Sequence, residues 1–333
     1  MASFWSRHKW LRRTTSTCAV GLAVCIVVLL FLAYVYMPPE DRTHTPAYLR
    51  WMQAQHLDGY VDAGNFRLHY LHEGSGEPVV LLPGGGVWIY DLRDVIAALA
   101  PHYAVYAVDE PGDGYTTPLA QNPDYTRIYT LDSIDESLLA FLNTLHIQKA
   151  AFIGSSWGGG YALYFTEKHP ERVSKYVSLD GAGLNLPDTW YFELQKWPVL
   201  GKVETKLAEV LGIAAPGLIK QYLGSIVVHR KVTDDMVQEF TLPGTFHPNL
   251  IALWVLERNL HWSVTEQLIP QMKTPTLIIW GKHDVIFDAT TYLQRWRQLA
   301  PHARIVEIDQ AGHLVQDDQP EQVNQLLLRF LAL

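Results

Sequence analysis

The sequence predicts an α/β protein: a doubly wound, mostly parallel sheet with a helical cap inserted into it and one transmembrane helix in front. Three observations carry that expectation. From about Tyr60 onward, short apolar runs alternate with stretches of helical period, the pattern of parallel strands joined by crossover helices. Between Ala182 and Lys273 the alternation stops, and no strand-like run interrupts a segment rich in Trp, Tyr and Phe. Ahead of both, Cys18–Met37 is a run of 20 residues without a single charge.

Composition sets the outer bounds. Eleven Trp, 17 Tyr and 11 Phe in 333 residues supply more buryable surface than a disordered chain carries, and two cysteines cannot staple a disulfide scaffold. A net charge of −8, from 26 basic and 34 acidic residues, lacks the basic footprint that a nucleic-acid partner requires.

Taken in order, the chain opens on a basic tail, residues 1–17, with Arg7, Lys9, Arg12, Arg13 and no acid. The tail holds +4 and leaves −12 for the rest. As a helix, residues 18–37 would be about 30 Å long, the thickness of a bilayer's hydrocarbon core. Tyr34 and Tyr36 stand at its far end, where amphipathic rings favour the interface. The run is longer than the roughly 7–15 apolar residues of a signal peptide, and Ala33-Tyr34-Val35 lacks the small-residue cleavage pattern. An uncleaved signal-anchor is therefore expected. The positive flank places the tail in the cytoplasm and the rest of the chain on the extracytoplasmic side. Both cysteines, Cys18 and Cys25, fall inside the anchor, so the region beyond it has neither a disulfide nor a thiolate metal site. Residues 38–58, opening on Pro38-Pro39 and running through Pro46, read as a stiff polar linker.

The core is expected over 59–183 and 274–333, with the cap over 184–273. Strands are expected at Phe66–His72, Val79–Leu82, Ala104–Val108, Ala150–Ile153, Tyr176–Leu179, Thr276–Trp280 and Arg304–Ile308. Several are apolar throughout, as strands covered on both faces should be. Leu131, Ile134, Leu138, Leu142 and Leu145 repeat at helical spacing, and so do Val323, Leu326, Leu327, Phe330 and Leu331. A helical insertion is a better reading of 184–273 than a loop of that length. It would lie on the carboxyl edge of the sheet, where open α/β folds place ligands.

The chemistry concentrates at three points. Gly154-Ser155-Ser156-Trp157-Gly158 fits G-x-S-x-G between an expected strand and an expected helix, the context of a nucleophile elbow. Ser156 is then the nucleophile, and a hydroxyl needs a base. His313, in Ala311-Gly312-His313 after the last strand, is the candidate base. The acid that orients it is Asp284, in Gly281-Lys282-His283-Asp284, with Asp180 as second choice. Asp288 and Asp309 read as helix-capping or solvated. Two backbone N–H groups must face the developing oxyanion. One is that of Trp157, and the other comes from Leu82-Pro83-Gly84-Gly85-Gly86, assigned to Gly85 with Gly86 as the neighbouring alternative. His69 and His72 lie three apart on a strand, hence on opposite faces, and share no metal. No metal and no organic cofactor is expected.

From about Tyr60 to Leu333 the chain resembles the α/β-hydrolase superfamily with a cap after the sixth strand. Leu-Leu-Pro-Gly-Gly-Gly resembles its oxyanion loop, with Pro83 where a histidine is usual. Asp109-Glu-Pro-Gly112-Asp-Gly114-Tyr-Thr116 resembles its D-x-x-G-x-G-x-S loop, and Gly312-His313 through Asp318-Gln-Pro320 its histidine segment. The resemblance implies hydrolysis. Ser156 opposes the members that open epoxides or remove halide with an aspartate, and leaves room for haloperoxidase-like and carbon–carbon-cleaving ones. The expectation is a membrane-anchored, carboxylesterase- or lipase-like serine hydrolase of a small, apolar ester. Ser-Trp-Gly-Gly also resembles proline iminopeptidases, which implies an alternative peptidase or amidase using cap carboxylates among Glu193, Glu204, Glu209 and Glu239. A non-catalytic ligand receptor on the same scaffold is the third reading.

Overall fold

The structure is a computed structural model and describes residues 20–187 and 189–333. The basic tail, Cys18 and Ala19 lie outside the described residues. Residues 20–34 are helical (α1), and α2 (Ala47–Ala54) follows within the segment expected to be linker. The core then runs β1 (Asp58–Ala63), β2 (Phe66–Glu73), β3 (Pro78–Leu82), α3 (Arg93–Leu99), β4 (Ala104–Val108), the two-residue β5 (Thr117–Pro118), α4 (Tyr125–Ile128) and α5 (Leu131–Thr144). It continues with β6 (Ala150–Ser155), α6 (Ser156–Lys168) and β7 (Val173–Leu179). The cap comprises α7 (Trp190–Gln195), α8 (Leu200–Ala214), α9 (Pro216–Ile226), α10 (Asp234–Thr241), α11 (His247–Asn259) and α12 (Ser263–Leu268). The chain returns to the core through β8 (Thr276–Gly281), α13 (Ala289–Leu299), β9 (Arg304–Ile308), α14 (Val315–Asp318) and α15 (Pro320–Leu331).

The sheet order is β1-β2-β4-β3-β6-β7-β8-β9, with β5 beside β2. β1, β2 and β4 pair antiparallel, and every pair from β4 through β9 is parallel. Helices cover both faces. Leu131, Ile134, Leu138 and Phe141 of α5 pack on one side with Phe165 of α6 and Trp296 of α13. On the other, Val95 and Leu99 of α3 pack with Val323, Leu327 and Phe330 of α15. β6 and β8 are buried at every residue, which is why both read as unbroken apolar runs.

Two elements depart from the sequence expectation. β1, Asp-Gly-Tyr-Val-Asp-Ala, is an edge strand whose two aspartates and glycine disfavour strand, and its burial comes from pairing with β2. The linker is not a free spacer: α2 buries Leu49 and Met52, and Glu239 of α10 accepts the Ala47 and Tyr48 N–H groups at its start. An eight-residue helix is marginal alone. A carboxylate at its N-terminus, where N–H groups lack intrahelical partners, supplies the missing stabilisation.

Among the described residues, no helix is long and apolar enough to cross a membrane. The first two residues of the expected anchor, Cys18 and Ala19, lie outside them.

Candidate active site

The turn from β6 into α6 forces Ser156 to φ +47°, a left-handed conformation uncommon outside glycine. The strain points the hydroxyl away from the helix axis at the carboxyl end of the sheet, and Ser156 stays half-buried. A Cβ on Gly158 would collide with the backbone oxygens of Leu82 and Pro83, so the first turn of α6 can lie against the loop after β3 only with glycine there.

His313 reaches Ser156 from the loop between β9 and α14. Its Nε2 is 3.0 Å from Ser156 Oγ, and its Nδ1 is 2.9 Å from Asp284 Oδ2. Asp284 cannot swing away, because its Oδ1 accepts the Ile286 and Phe287 N–H groups at 2.8 and 3.0 Å. An ionised carboxylate only accepts, so the Nδ1 facing it carries the proton and Nε2 is free to accept from the serine. The Phe287 ring and the imidazole pack nearly perpendicular, centroids 5.2 Å apart. His313 and Asp284 are buried, which strengthens their interaction over its value in water.

The loop after β3 closes over this pair. A Cβ on Gly85 would enter the Trp157 ring, and one on Gly84 would come within 3.2 Å of the Ser156 Cβ. Gly86 N–H donates to Asp113 Oδ1 at 2.6 Å and is therefore engaged. Trp157 lies in the first turn of α6, where N–H groups have no partner within the helix. Gly85 therefore lies directly against Trp157, the residue that follows the nucleophile.

The remaining aspartates sort by their partners. Asp180 holds φ +45°, and its carboxylate accepts the Gly281 and Val315 N–H groups at 2.7 and 3.1 Å. It ties the loop bearing Asp284 to the helix after His313 rather than bonding the imidazole. Burial first, and the nearby Asp284 charge second, push its carboxyl well up. Asp288 caps α13 through Thr291, and exposed Asp309 pairs with Lys282. His69 is fully buried with Nδ1 2.7 Å from Asp109, while His72 lies exposed on the opposite face, stacked on Tyr106.

Supporting groups also appear that local spacing does not announce. Asp318 accepts four N–H groups, from Gly312, Val228, His229 and Arg230, at 2.7–2.9 Å. With His313 N–H donating to Ile226 O at 2.8 Å, this carboxylate fastens the histidine loop to the end of α9 in the cap. Gln316 donates to buried Asp91 and to Ser155 Oγ beside the nucleophile. Asp318 stands in the quoted histidine segment, so its motif was visible; its cap partners, some 90 residues away, were not. Among the cap carboxylates, Glu193 pairs with Lys196, Glu204 accepts from Gln195, and Glu239 holds the start of α2. Glu209 is half-buried, and burial raises its pKa.

Comparison with known proteins identifies the fold. Residues 77–320 match the family model described as the α/β hydrolase fold. The cis-3-alkyl-4-alkyloxetan-2-one decarboxylase of Shewanella oneidensis is 28% identical over 293 residues, covering 82% of this chain and 87% of that protein. The 2-hydroxy-6-oxononadienedioate/2-hydroxy-6-oxononatrienedioate hydrolase of Comamonas testosteroni is 25% identical, over 80% of this chain and 92% of that one. Among solved structures, a carboxylesterase from Bacillus subtilis superposes with a TM-score of 0.65 at 23% identity, covering 85% of this chain and 96% of its own, a likeness of fold.

Proposed function

This chain belongs to the α/β-hydrolase fold family, and on that premise we propose that it is a serine hydrolase of apolar carboxylic esters, anchored in a membrane through residues 18–37 with the hydrolase domain on the extracytoplasmic side. The observation that carries the reading is the unbroken relay from Ser156 Oγ through His313 to Asp284, at 3.0 and 2.9 Å. As Ser156 Oγ attacks the ester carbonyl carbon, its proton passes to His313 Nε2. Asp284 stabilises the imidazolium, and the Gly85 and Trp157 N–H groups receive the oxyanion. Collapse breaks the bond to the leaving alkoxide, which takes the proton back from Nε2. Water then adds to the acyl-serine with His313 again as base, freeing the acid and restoring Ser156.

Two facts favour an apolar ester. Trp157 of α6 and Leu253 of the cap lie against the glycines of the loop after β3, and Phe287, after β8, packs on His313, so apolar side chains stand around the nucleophile elbow and its histidine. The Shewanella relative's name describes a dialkyl four-membered lactone, itself an ester with two alkyl groups. The amine-binding alternative loses three of its four cap carboxylates to partners within the protein.

A fluorophosphonate probe followed by a panel of aryl esters of increasing chain length tests the reading. Wild type should label at Ser156 and turn over the longer esters faster. Ser156→Ala should escape labelling and lose roughly 10⁴–10⁶ in kcat. An unlabelled wild type would favour the receptor reading, and faster turnover of aminoacyl arylamides than of esters would favour a peptidase.

A further inference from the structure

We propose that the outer face of α8 and α9 is a lipid-contact surface that lies in the headgroup layer of the bilayer holding residues 18–37, a proposal that rests on the anchoring reading above. The first observation is where α1 ends. Lys206 of α8 is buried to 4% exposure, and its ammonium donates to the carbonyls of Leu32, Ala33 and Tyr36 at 3.1, 3.0 and 2.6 Å. It satisfies carbonyls at the C-terminus of α1, the negative end of that helix. Lys202, one turn earlier, stands 4.4 Å from the Tyr34 ring. The chain leaving α1 is held as well: His247 Nε2 lies 2.8 Å from Pro38 O, and Asp41 N–H donates to Thr245. The apolar helix is therefore fastened to the cap on both sides of its end. Residues 20–31 are all exposed, so α1 projects from the body beside α8.

The second observation is what α8 presents on its other side. Leu200, Leu207 and Leu211 recur at i, i+7 and i+11 on one stripe of the helix and are 42%, 45% and 52% exposed. Leu218 of α9 continues the apolar surface, half in solvent. Lys202 and Lys206 lie on the opposite side of α8, against the end of α1, so the leucine stripe is turned outward, away from the body. Trp190 and Trp197, the most exposed tryptophans among the described residues, flank α7 beside it, and amphipathic rings of this kind favour the membrane interface. Several large apolar side chains exposed on neighbouring helices call for a partner. Their fixed position next to an apolar helix identifies that partner as the lipid around the helix. An ester dissolved in the bilayer would then meet the cap without crossing water.

The test uses the full chain with Cys18→Ser and Cys25→Ser, reconstituted in phosphatidylcholine–phosphatidylglycerol vesicles. A fluorophore is placed on Leu211→Cys or, as control, on Gln294→Cys of α13 in the core. The label at 211 should be quenched by lipids brominated on the acyl chain, and the label at 294 by aqueous iodide. In the same vesicles, Leu207→Asp with Leu211→Asp should lower turnover of a vesicle-dissolved long-chain ester about tenfold. Turnover of a water-soluble short ester should not change. Release of the protein by alkaline carbonate overturns the anchor and the surface together. Retention with iodide quenching at 211 overturns the surface alone. A label at 211 shielded from both quenchers, in a chain that sediments as a dimer, overturns it in favour of a second copy.

Discussion

Asp113 accepts the Gly86 N–H, one residue beyond the Gly85 amide proposed to face the oxyanion, and burial pushes its carboxyl well above the usual range. Burial thus favours the neutral acid, and one oxygen of its carboxyl holds the loop through the Gly86 amide. Two substitutions separate shape from charge. Asp113→Asn keeps the size and an acceptor oxygen without any charge, and should leave kcat close to wild type. Asp113→Ala frees the Gly86 amide, lets the loop drift, and should lower kcat roughly 10–100-fold, less than the 10²–10³ lost when an oxyanion donor is removed outright. KM should change little, since the amides gain most of their value in the transition state. Steady-state kinetics on a short aryl ester reads both numbers. An Asn variant as slow as the Ala variant would show that the ionised carboxylate is what matters.

Among the elements, the histidine loop depends most on distant partners. Its residues satisfy themselves through Asp318, whose two oxygens gather amides from Gly312 and from Val228–Arg230 after α9. Asp318→Ala leaves four buried or half-buried N–H groups without that acceptor and should cost on the order of 3 kcal/mol in stability, read from urea-unfolding midpoints. It should also lower kcat, because His313 N–H is held by the same cap segment at Ile226. The same contrast explains what the sequence could convey. β3, β6 and β8 are apolar because both faces are covered, and Ser156, His313 and Asp284 each sit in a short motif at a strand end, so all are legible locally. β1 is not, because its stability comes from pairing with β2 rather than from its own residues. Nor is α2, whose first amides are held by Glu239, 192 residues away. Asp318 and Asp113 likewise work through partners across the chain, which no spacing rule encodes.

On the scale of the whole molecule, one buried network joins three parts of the fold and sets how stability responds to pH. Asp317 of α14 pairs with Arg93 at the start of α3 and with Arg230 of the cap, and Arg230 also reaches Asp94. Asp91, beside this network, is fully buried against Gln316, and burial together with the Asp317 charge pushes its pKa from 3.8 up to about 7. Between those two values the folded protein keeps a proton that the unfolded chain has released. With more protons bound to the folded state, the slope of unfolding free energy against pH is negative. The contribution of Asp91 is therefore present below about pH 4, declines as pH rises, and is gone above about pH 7. Asp91→Asn removes the titration while keeping a side chain that can pair with Gln316, whose Oε1 has no hydrogen-bond partner in the native site. The difference in urea midpoint between Asp91→Asn and wild type should grow in favour of the variant as pH rises from about 4 to about 7, then level off. A difference that stays constant across that range would mean that Asp91 is ionised in the folded protein throughout. The Asp91 charge would then have to be held by the Gln316 hydrogen bonds and the Arg93 and His313 charges, against the repulsion of Asp317.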